Sequence, residues 1–333
     1  MRRLPVFVMV DVSESMAGDA ITAMHHGMEQ LLVALKRDPQ VIEIGALSVI
    51  SFGASAKVEV PLASVLDVRI PSLGLSSGTS LGGAFDLLAS EINSRVVWTT
   101  HEVRGDYKPV VFLITDGQPT DNWRRAYGRF RQCYPSLTVH AVGCGDDVDF
   151  SVLKEITPNT YMLKDMGTDS FGKLFQCVTA SVRSVTASMM NGDRAKDDLT
   201  EWADGIVEKP TEDDCRPKGG SRQVLIPAQC SSTRRHYLLR YKKGECGRFL
   251  FSAAHPLESR LEGSRTGGGN INVSELDCAG QKCPHCGNTG AFYCHTCNML
   301  VCIPEGSRRA HCPGCGFDGE LTYSNFDMLK SLG

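Results

Sequence analysis

No stretch of this 333-residue chain is long and apolar enough to cross a membrane. The apolar run Leu4–Val10 ends at Asp11 after seven residues, against the roughly 20 that a spanning helix needs. No small-residue cleavage site follows it, so it reads as the first strand of a cytoplasmic protein rather than a secretion signal. No charge of one sign dominates. The 35 Lys and Arg face 38 Asp and Glu, a net of −3, which excludes a uniformly basic nucleic-acid binder. There is no internal repeat of fixed period. With 42% hydrophobic and 22% charged residues the chain is no disordered segment, fibre or coiled coil. Cysteine is missing from the first 132 residues. Of the 14 present, seven are scattered from Cys133 to Cys278 and seven crowd into Cys283–Cys315.

What is present begins with alternation. Leu4–Val10, Ile42–Phe52, Pro109–Thr115, Leu137–Gly143 and Thr160–Leu163 are short, largely apolar and rich in β-branched residues. Helix-like segments lie near 18–37, 80–96, 121–132, 149–157 and 169–190. Strands this apolar are covered on both faces. Val58–Leu62 alternates, and Pro61 in it suits an antiparallel edge. The fold class expected is α/β, a doubly wound, mostly parallel sheet over residues 1–190. Residues 191–215 then hold nine Asp/Glu and three Lys/Arg, so 191–219 reads as an acidic linker or exposed helix. Residues 216–265 hold eleven Lys/Arg and three Asp/Glu. Candidate strands Gln223–Pro227, Tyr237–Tyr241, Arg248–Ala253 and Ile271–Leu276 make 220–276 a small β module. The cysteine-rich end, 277–333, follows.

Two sets of residues carry chemistry. The first strand runs into Asp11-Val-Ser13-Glu-Ser15, a D-x-S-x-S pattern. In an open α/β sheet that carboxyl edge is where ligands bind. Hydroxyls and carboxylates are hard oxygen donors, which suit Mg²⁺, with Mn²⁺ or Ca²⁺ as alternatives. The pattern alone also describes an ordinary turn whose serine caps a helix. Ser77-Gly-Thr79-Ser-Leu-Gly82 adds a hydroxyl at the start of the next long helix. Val110–Thr115 ends in Asp116-Gly117, a second carboxylate. The arrangement resembles the metal-ion-dependent adhesion site of von Willebrand factor A domains, over about residues 4–190 and in the family's order. The resemblance implies that Ser13 and Ser15 bind the metal directly. It implies that Thr79 does so when a partner is engaged, and that Asp11 and Asp116 act mainly through bound water. It also implies a binding protein, not an enzyme, whose cation captures an Asp or Glu of a partner.

Enzyme motifs fail on context. Gly78-Thr-Ser80-Leu-Gly82 matches a nucleophile elbow, but a loop precedes it where a strand is required. Gly167–Lys173 nearly matches a phosphate loop, but Leu174 stands where Ser or Thr should bind Mg²⁺. No kinase signature is present, and His25, His26, His101 and His140 have no ligand spacing.

The second set is Cys283-Pro-His-Cys286-Gly, Cys294-His-Thr-Cys297, Cys302 and Cys312-Pro-Gly-Cys315-Gly. In each C-P-x-C-G turn two thiolates converge on one side and the glycine allows the reversal. The outer four, Cys283, Cys286, Cys312 and Cys315, are expected to make one tetrahedral Zn²⁺ site. Cys294, Cys297 and Cys302 either build a second site with His295, His311 or Cys278, or pair with Cys283 and Cys286 in another connectivity. So small a segment needs its metal to fold. Together the two sets resemble the TerY-like family, associated with bacterial tellurite resistance and stress, which ends in a metal-binding ribbon. In that family the central cysteines are more tightly spaced than Cys294 and Cys297. The resemblance implies protein partners, among them a Ser/Thr protein kinase and a protein phosphatase. Two other readings compete. The +8 segment beside a zinc ribbon suggests a nucleic-acid-associated subunit, although the acidic stretch before it offsets that charge. A subunit of an ATP-driven, chelatase-like machine would use the same cation chemistry.

Overall fold

Leu4–Val10, apolar at every position, forms a strand whose eight residues, Leu4–Asp11, are all buried. The structure is a computed structural model. It describes residues 2–116, 118–145, 148–191, 198–202, 205–215, 223–244, 247–257, 270–321 and 327–329. They fall into two units. The first comprises Met1–Val12, Asp19–Leu73 and Thr79–Lys218. The second comprises Ser13–Gly18, Gly74–Gly78 and Gly219–Gly333.

In the first unit β1 (Leu4–Asp11), β2 (Gly45–Phe52), β3 (Ala56–Ser64), β4 (Val110–Thr115), β5 (Thr138–Cys144), β6 (Thr160–Leu163) and β7 (Val207–Glu208) form one sheet, in the order β3-β2-β1-β4-β5-β6-β7. β1, β2, β4, β5 and β6 run parallel, with β3 and β7 antiparallel at the edges. The helices are α1 (Asp19–Leu35), α2 (Pro39–Ile44), α3 (Leu81–Arg95), α4 (Trp123–Cys133), α5 (Phe150–Ile156) and α6 (Thr168–Asn191). Phe7, Met9, Val111 and Leu113 share a core with Phe85, Phe130 and Leu153 of α3, α4 and α5. The alternate residues Val6, Val8 and Val10 point to the other face and are equally buried. α1 and α6 pack together. The α/β expectation therefore stands, with β3 the antiparallel edge that Pro61 suggested.

Two details differ from the sequence reading. The strand expected from Ile42 starts at Gly45, because Asp38 caps a short helix. Its carboxylate accepts from Gln40 N at 3.0 Å and Val41 N at 3.1 Å, and Pro39 takes the first helical position. The acidic stretch is no free linker where it is described. Leu199 and Val207, apolar residues set among the acids, are 0% and 2% exposed, and β7 extends the sheet. Residues 192–197, 203–204 and 216–222 of that stretch and its margin lie outside the described residues.

The second unit holds β8 (Gln223–Gln229), β9 (His236–Lys243), β10 (Phe249–Pro256), β11 (Asn270–Asn272), β12 (Leu276–Asp277), β13 (Gly290–Cys294), β14 (Met299–Ile303), β15 (Arg309–His311), β16 (Asp318–Glu320) and β17 (Asp327–Leu329). Six of them make a sheet in the order β12-β10-β9-β8-β14-β13. β14 pairs in parallel with β8, Leu300 beside Ala228. The boundary expected at 276/277 is thus not kept, since strands from both sides share one sheet and one core around Ile226, Tyr237, Leu239 and Leu300. The strand expected over Ile271–Leu276 is interrupted. Asn272 accepts from Ser274 N at 3.0 Å and starts a single tight turn, Val273–Glu275, between β11 and β12.

Candidate metal centres

The chain leaves β1 for β2 on one side and later fills β4 on the other, so the strand order reverses between β1 and β4. Such a switch point opens a crevice at the carboxyl ends. Asp11 ends β1 there and is fully buried. Thr115 stands beside it across the parallel pair, and Thr115 Oγ1 donates to Asp11 Oδ2 at 2.5 Å. Asp116, 4% exposed, follows at once. Gly117, read with it in the sequence, lies outside the described residues. Burial, then the charges of Asp116 and Asp11, push up the thiol of Cys144 at the end of β5.

Thr79 precedes α3. Thr79 N donates to Thr120 Oγ1 at 3.1 Å, and Thr120 N donates to Thr79 O at 3.0 Å. Asp121 caps α3, accepting from Ser80 Oγ at 2.9 Å, Gly82 N at 3.0 Å and Gly83 N at 3.1 Å. Ser80 is thereby part of a cap. Held this firmly, Thr79 Oγ1 is buried with no hydrogen-bond partner among the described residues. A buried hydroxyl so placed costs about 1–3 kcal/mol, and a hard cation would satisfy it.

Ser13 and Ser15 follow Asp11 in the chain by two and four residues and belong to the second unit. Both are buried, with their Oγ atoms 2.7 Å apart. Between them, the carboxylate of Glu14 accepts from Ser77 Oγ at 3.1 Å and Gly78 N at 2.6 Å. Hydroxyls and carboxylates are hard donors of the kind that Mg²⁺, Mn²⁺ or Ca²⁺ takes.

The cysteines form two groups. Cys230, Cys283, Cys286 and Cys302 have Sγ atoms within 4.8 Å of one another, as do Cys294, Cys297, Cys312 and Cys315. The single site expected from Cys283, Cys286, Cys312 and Cys315 does not form. The β13–β14 hairpin keeps those two turns apart. Cys294 ends β13 near the hairpin's tip, whereas Cys302 pairs with Ala291, three residues back, or about 10 Å along the strand. The parallel register of β14 with β8 then carries Cys302 next to Cys230, just beyond β8. Cys278, His295 and His311, the alternative ligands, stand outside both groups.

Local backbone explains the convergence. Gly287 N donates to Cys283 O and Gly316 N to Cys312 O, both at 2.9 Å, and both glycines are left-handed, φ +78° and +79°. That conformation is one glycine adopts without strain. Asn298 (φ +54°) plays the same part after Cys297, and Arg234 (φ +58°) after Cys230-Ser-Ser-Thr233, with Arg234 N donating to Cys230 O at 2.9 Å. Cys230 thus sits in a knuckle whose second cysteine is missing. That lone placement is why spacing did not reveal it, and the four-residue turn was its one trace in the sequence. Glu14 and Asp121 were likewise not singled out.

The groups have the size of zinc sites. Sγ–Sγ distances are 3.6 Å for Cys286–Cys302 and 3.5 Å for both Cys294–Cys315 and Cys297–Cys312. Zn–S bonds of about 2.3 Å make a tetrahedral edge of about 3.8 Å. Burial works against ionisation at Cys230, yet donors from Thr233 and Ser232 bring it down to about 6. At Cys294 burial is likewise outweighed by the N–H groups of Cys297 and Thr296 and by the Cys315 thiol, giving about 7. Burial pushes Cys283 up to about 12, and raises Cys297 and Cys312. Crowded thiols cannot all ionise unaided; a central dication removes the conflict.

The model of the von Willebrand factor type A domain matches residues 6–176, and that of the TerY-C metal binding domain matches 221–333. Similar solved structures include a von Willebrand factor type A protein from Catenulispora acidiphila (16% identity, 55% of this chain and 43% of that one, TM-score 0.42). They also include the pilus adhesin SpaC from Lactobacillus rhamnosus GG (12%, 56% and 31%, 0.44). A third is proximal thread matrix protein 1 from the mussel byssus with a zinc-occupied MIDAS motif (14%, 69% and 51%, 0.39). The chain spans less than half the length of the first of these. No curated protein matches the sequence.

Proposed function

Because the chain belongs to the von Willebrand factor type A family and ends in a TerY-C metal binding domain, we propose that it is a metal-dependent protein-binding adaptor without a catalytic centre. In this reading Asp11, Ser13, Ser15, Thr79 and Asp116 hold one Mg²⁺, with Mn²⁺ or Ca²⁺ as alternatives. The three hydroxyls bind it through Oγ, and the two carboxylates act through water. Neutral hydroxyls leave most of the dication's charge uncompensated, so when bound it offers an electrophilic position to a partner's Asp or Glu. The two cysteine groups hold one Zn²⁺ each and fix the fold around them. The partners are proteins of the same cytoplasm, a Ser/Thr protein kinase and a protein phosphatase being those the family resemblance favours.

The observation that carries this reading is Thr79 Oγ1, buried, unpartnered and fixed by its own backbone in the unit whose switch point bears Asp11 and Asp116. The test is affinity purification of the tagged full chain from its native cell, in magnesium and after magnesium is dialysed away. A parallel arm uses Ser13→Ala combined with Ser15→Ala, which leaves both cysteine groups intact. The expected partner is captured in magnesium and lost in the other two arms. The same partner retained in all three would contradict the reading.

A further inference from the structure

We propose that Arg240, on β9 of the TerY-C segment, is a positioning residue for the cation. It would hold in place the loop that carries Ser13 and Ser15, so that residues far along the chain set the affinity of the N-terminal motif. The inference rests on the cation reading above and deepens it. Ser13–Gly18 and residues 219–333 belong to the same unit. Within it, Arg240 Nη2 donates to Ser15 O at 3.0 Å and to Ala17 O at 2.9 Å, across 225 and 223 residues of sequence. Both bonds are charge-assisted and therefore among the stronger kind.

The loop has little shape of its own. Its single 3₁₀ turn, Glu14–Met16, is closed by Met16 N to Ser13 O at 3.0 Å and Ala17 N to Glu14 O at 3.1 Å. Turns this short do not persist unaided. Other groups of the unit also impose the shape. Glu14 accepts from Gly78 N, one residue before Thr79. Ala17 packs with Leu225, Leu238, Leu257 and Leu75. Gly18 has φ +91°, and a Cβ there would stand 2.6 Å from His255 Nδ1. Fixing the carbonyl of Ser15 fixes the residue whose hydroxyl lies 2.7 Å from that of Ser13. Arg240 therefore acts on the cation through Ser15.

The sign of the effect separates this role from a bystander's. Removing a positive charge from the neighbourhood of a dication, by itself, tightens cation binding. Removing the brace loosens it. Mn²⁺ binding to the full chain, read by electron paramagnetic resonance, is compared for wild type, Arg240→Met and Arg240→Lys, with zinc content checked in each. The expected result is Mn²⁺ affinity at least fivefold weaker in Arg240→Met, partly recovered in Arg240→Lys, with two zinc retained. Unchanged or tighter binding in Arg240→Met overturns the inference. If that variant does not fold, Arg240→Lys decides in its place: Mn²⁺ binding weaker than wild type supports the inference and wild-type binding overturns it. A wild type that binds no Mn²⁺ would instead sink the cation reading itself.

Discussion

Single atoms decide most of the chemistry. On the proposed cation reading, the buried Thr79 hydroxyl is a liability in the metal-free protein and an asset in the loaded one. Thr79→Val replaces the hydroxyl with a methyl group of the same shape. Without metal, its melting temperature should equal or exceed that of wild type, because a buried unsatisfied oxygen is removed. With Mg²⁺ at a hundredfold excess over its dissociation constant, wild type gains about 2.7 kcal/mol and the variant almost nothing. Thermal unfolding with and without Mg²⁺ checks this, and an equal gain in both proteins would refute it. At the cysteines, Cys230→Ser should lower zinc from two per chain to one by elemental analysis, while Cys278→Ser should leave two. This grouping was half legible in sequence. Cys-x-x-Cys spacing announces two thiolates on one turn, but it says nothing about which lone cysteine a sheet register delivers from 50 or more residues away. Asp11 and Asp116 could be proposed from strand ends that line up on one edge of a parallel sheet, whereas Ser13, Ser15 and Thr79 joined them through the resemblance to the adhesion site.

Between elements, one concentrated polar contact in the first unit is a clasp around Asp106, whose side chain is 4% exposed. It accepts from Arg3 N and Nε, both at 3.1 Å, from Arg3 Nη2 at 2.7 Å and from Val97 N at 2.9 Å. The start of β1 and the segment after α3 are tied through this one carboxylate. Burial works to raise its pKa, but the donors of Arg3 and Val97 win and hold it below the usual carboxylate range. A carboxylate depressed in the folded state stabilises above its unfolded value, about 4. That stability is lost as pH falls through the folded value. Asp106→Asn should therefore cost about 1–2 kcal/mol at pH 7, the partly exposed Arg3 tempering the figure. The gap to wild type should hold down to about pH 5 and shrink below pH 4. Denaturant unfolding at several pH values checks it, and a gap that widens on acidification would contradict it. The strands were legible as short unbroken apolar runs, and the long helices because period 3.6 survives in their apolar residues, as in Trp123, Ala126 and Phe130 of α4. α2 and the interruption after β11 were not, because Asp38 and Asn272 override an apolar run with a cap.

At the scale of the whole chain, the two units differ in what holds them. The first buries a continuous apolar core against its sheet, and the second adds eight cysteines drawn from β8–β9, β13–β14 and the turns beside them. Stripping zinc with a strong chelator should collapse hydrogen-exchange protection over β8–β10 and β13–β16 while β1, β2, β4 and β5 stay protected. Uniform loss across both, or loss in neither, would contradict the zinc account. The division of the chain was legible only in part: the first domain expected to end at 190 runs on to Lys218, where acidic composition gives way to basic, and the boundary expected inside the second unit is not kept. A parallel strand pairing between β8 and β14 leaves no mark in composition. The central claim is an open-coordinated dication on the Asp11–Ser13–Ser15 edge. Anomalous diffraction from crystals soaked in Mn²⁺ tests it most directly. The account predicts one Mn²⁺ peak bound by Ser13, Ser15 and Thr79, with water or a foreign carboxylate completing its shell. An empty edge, or a shell closed by another side chain of this same protein, would contradict it.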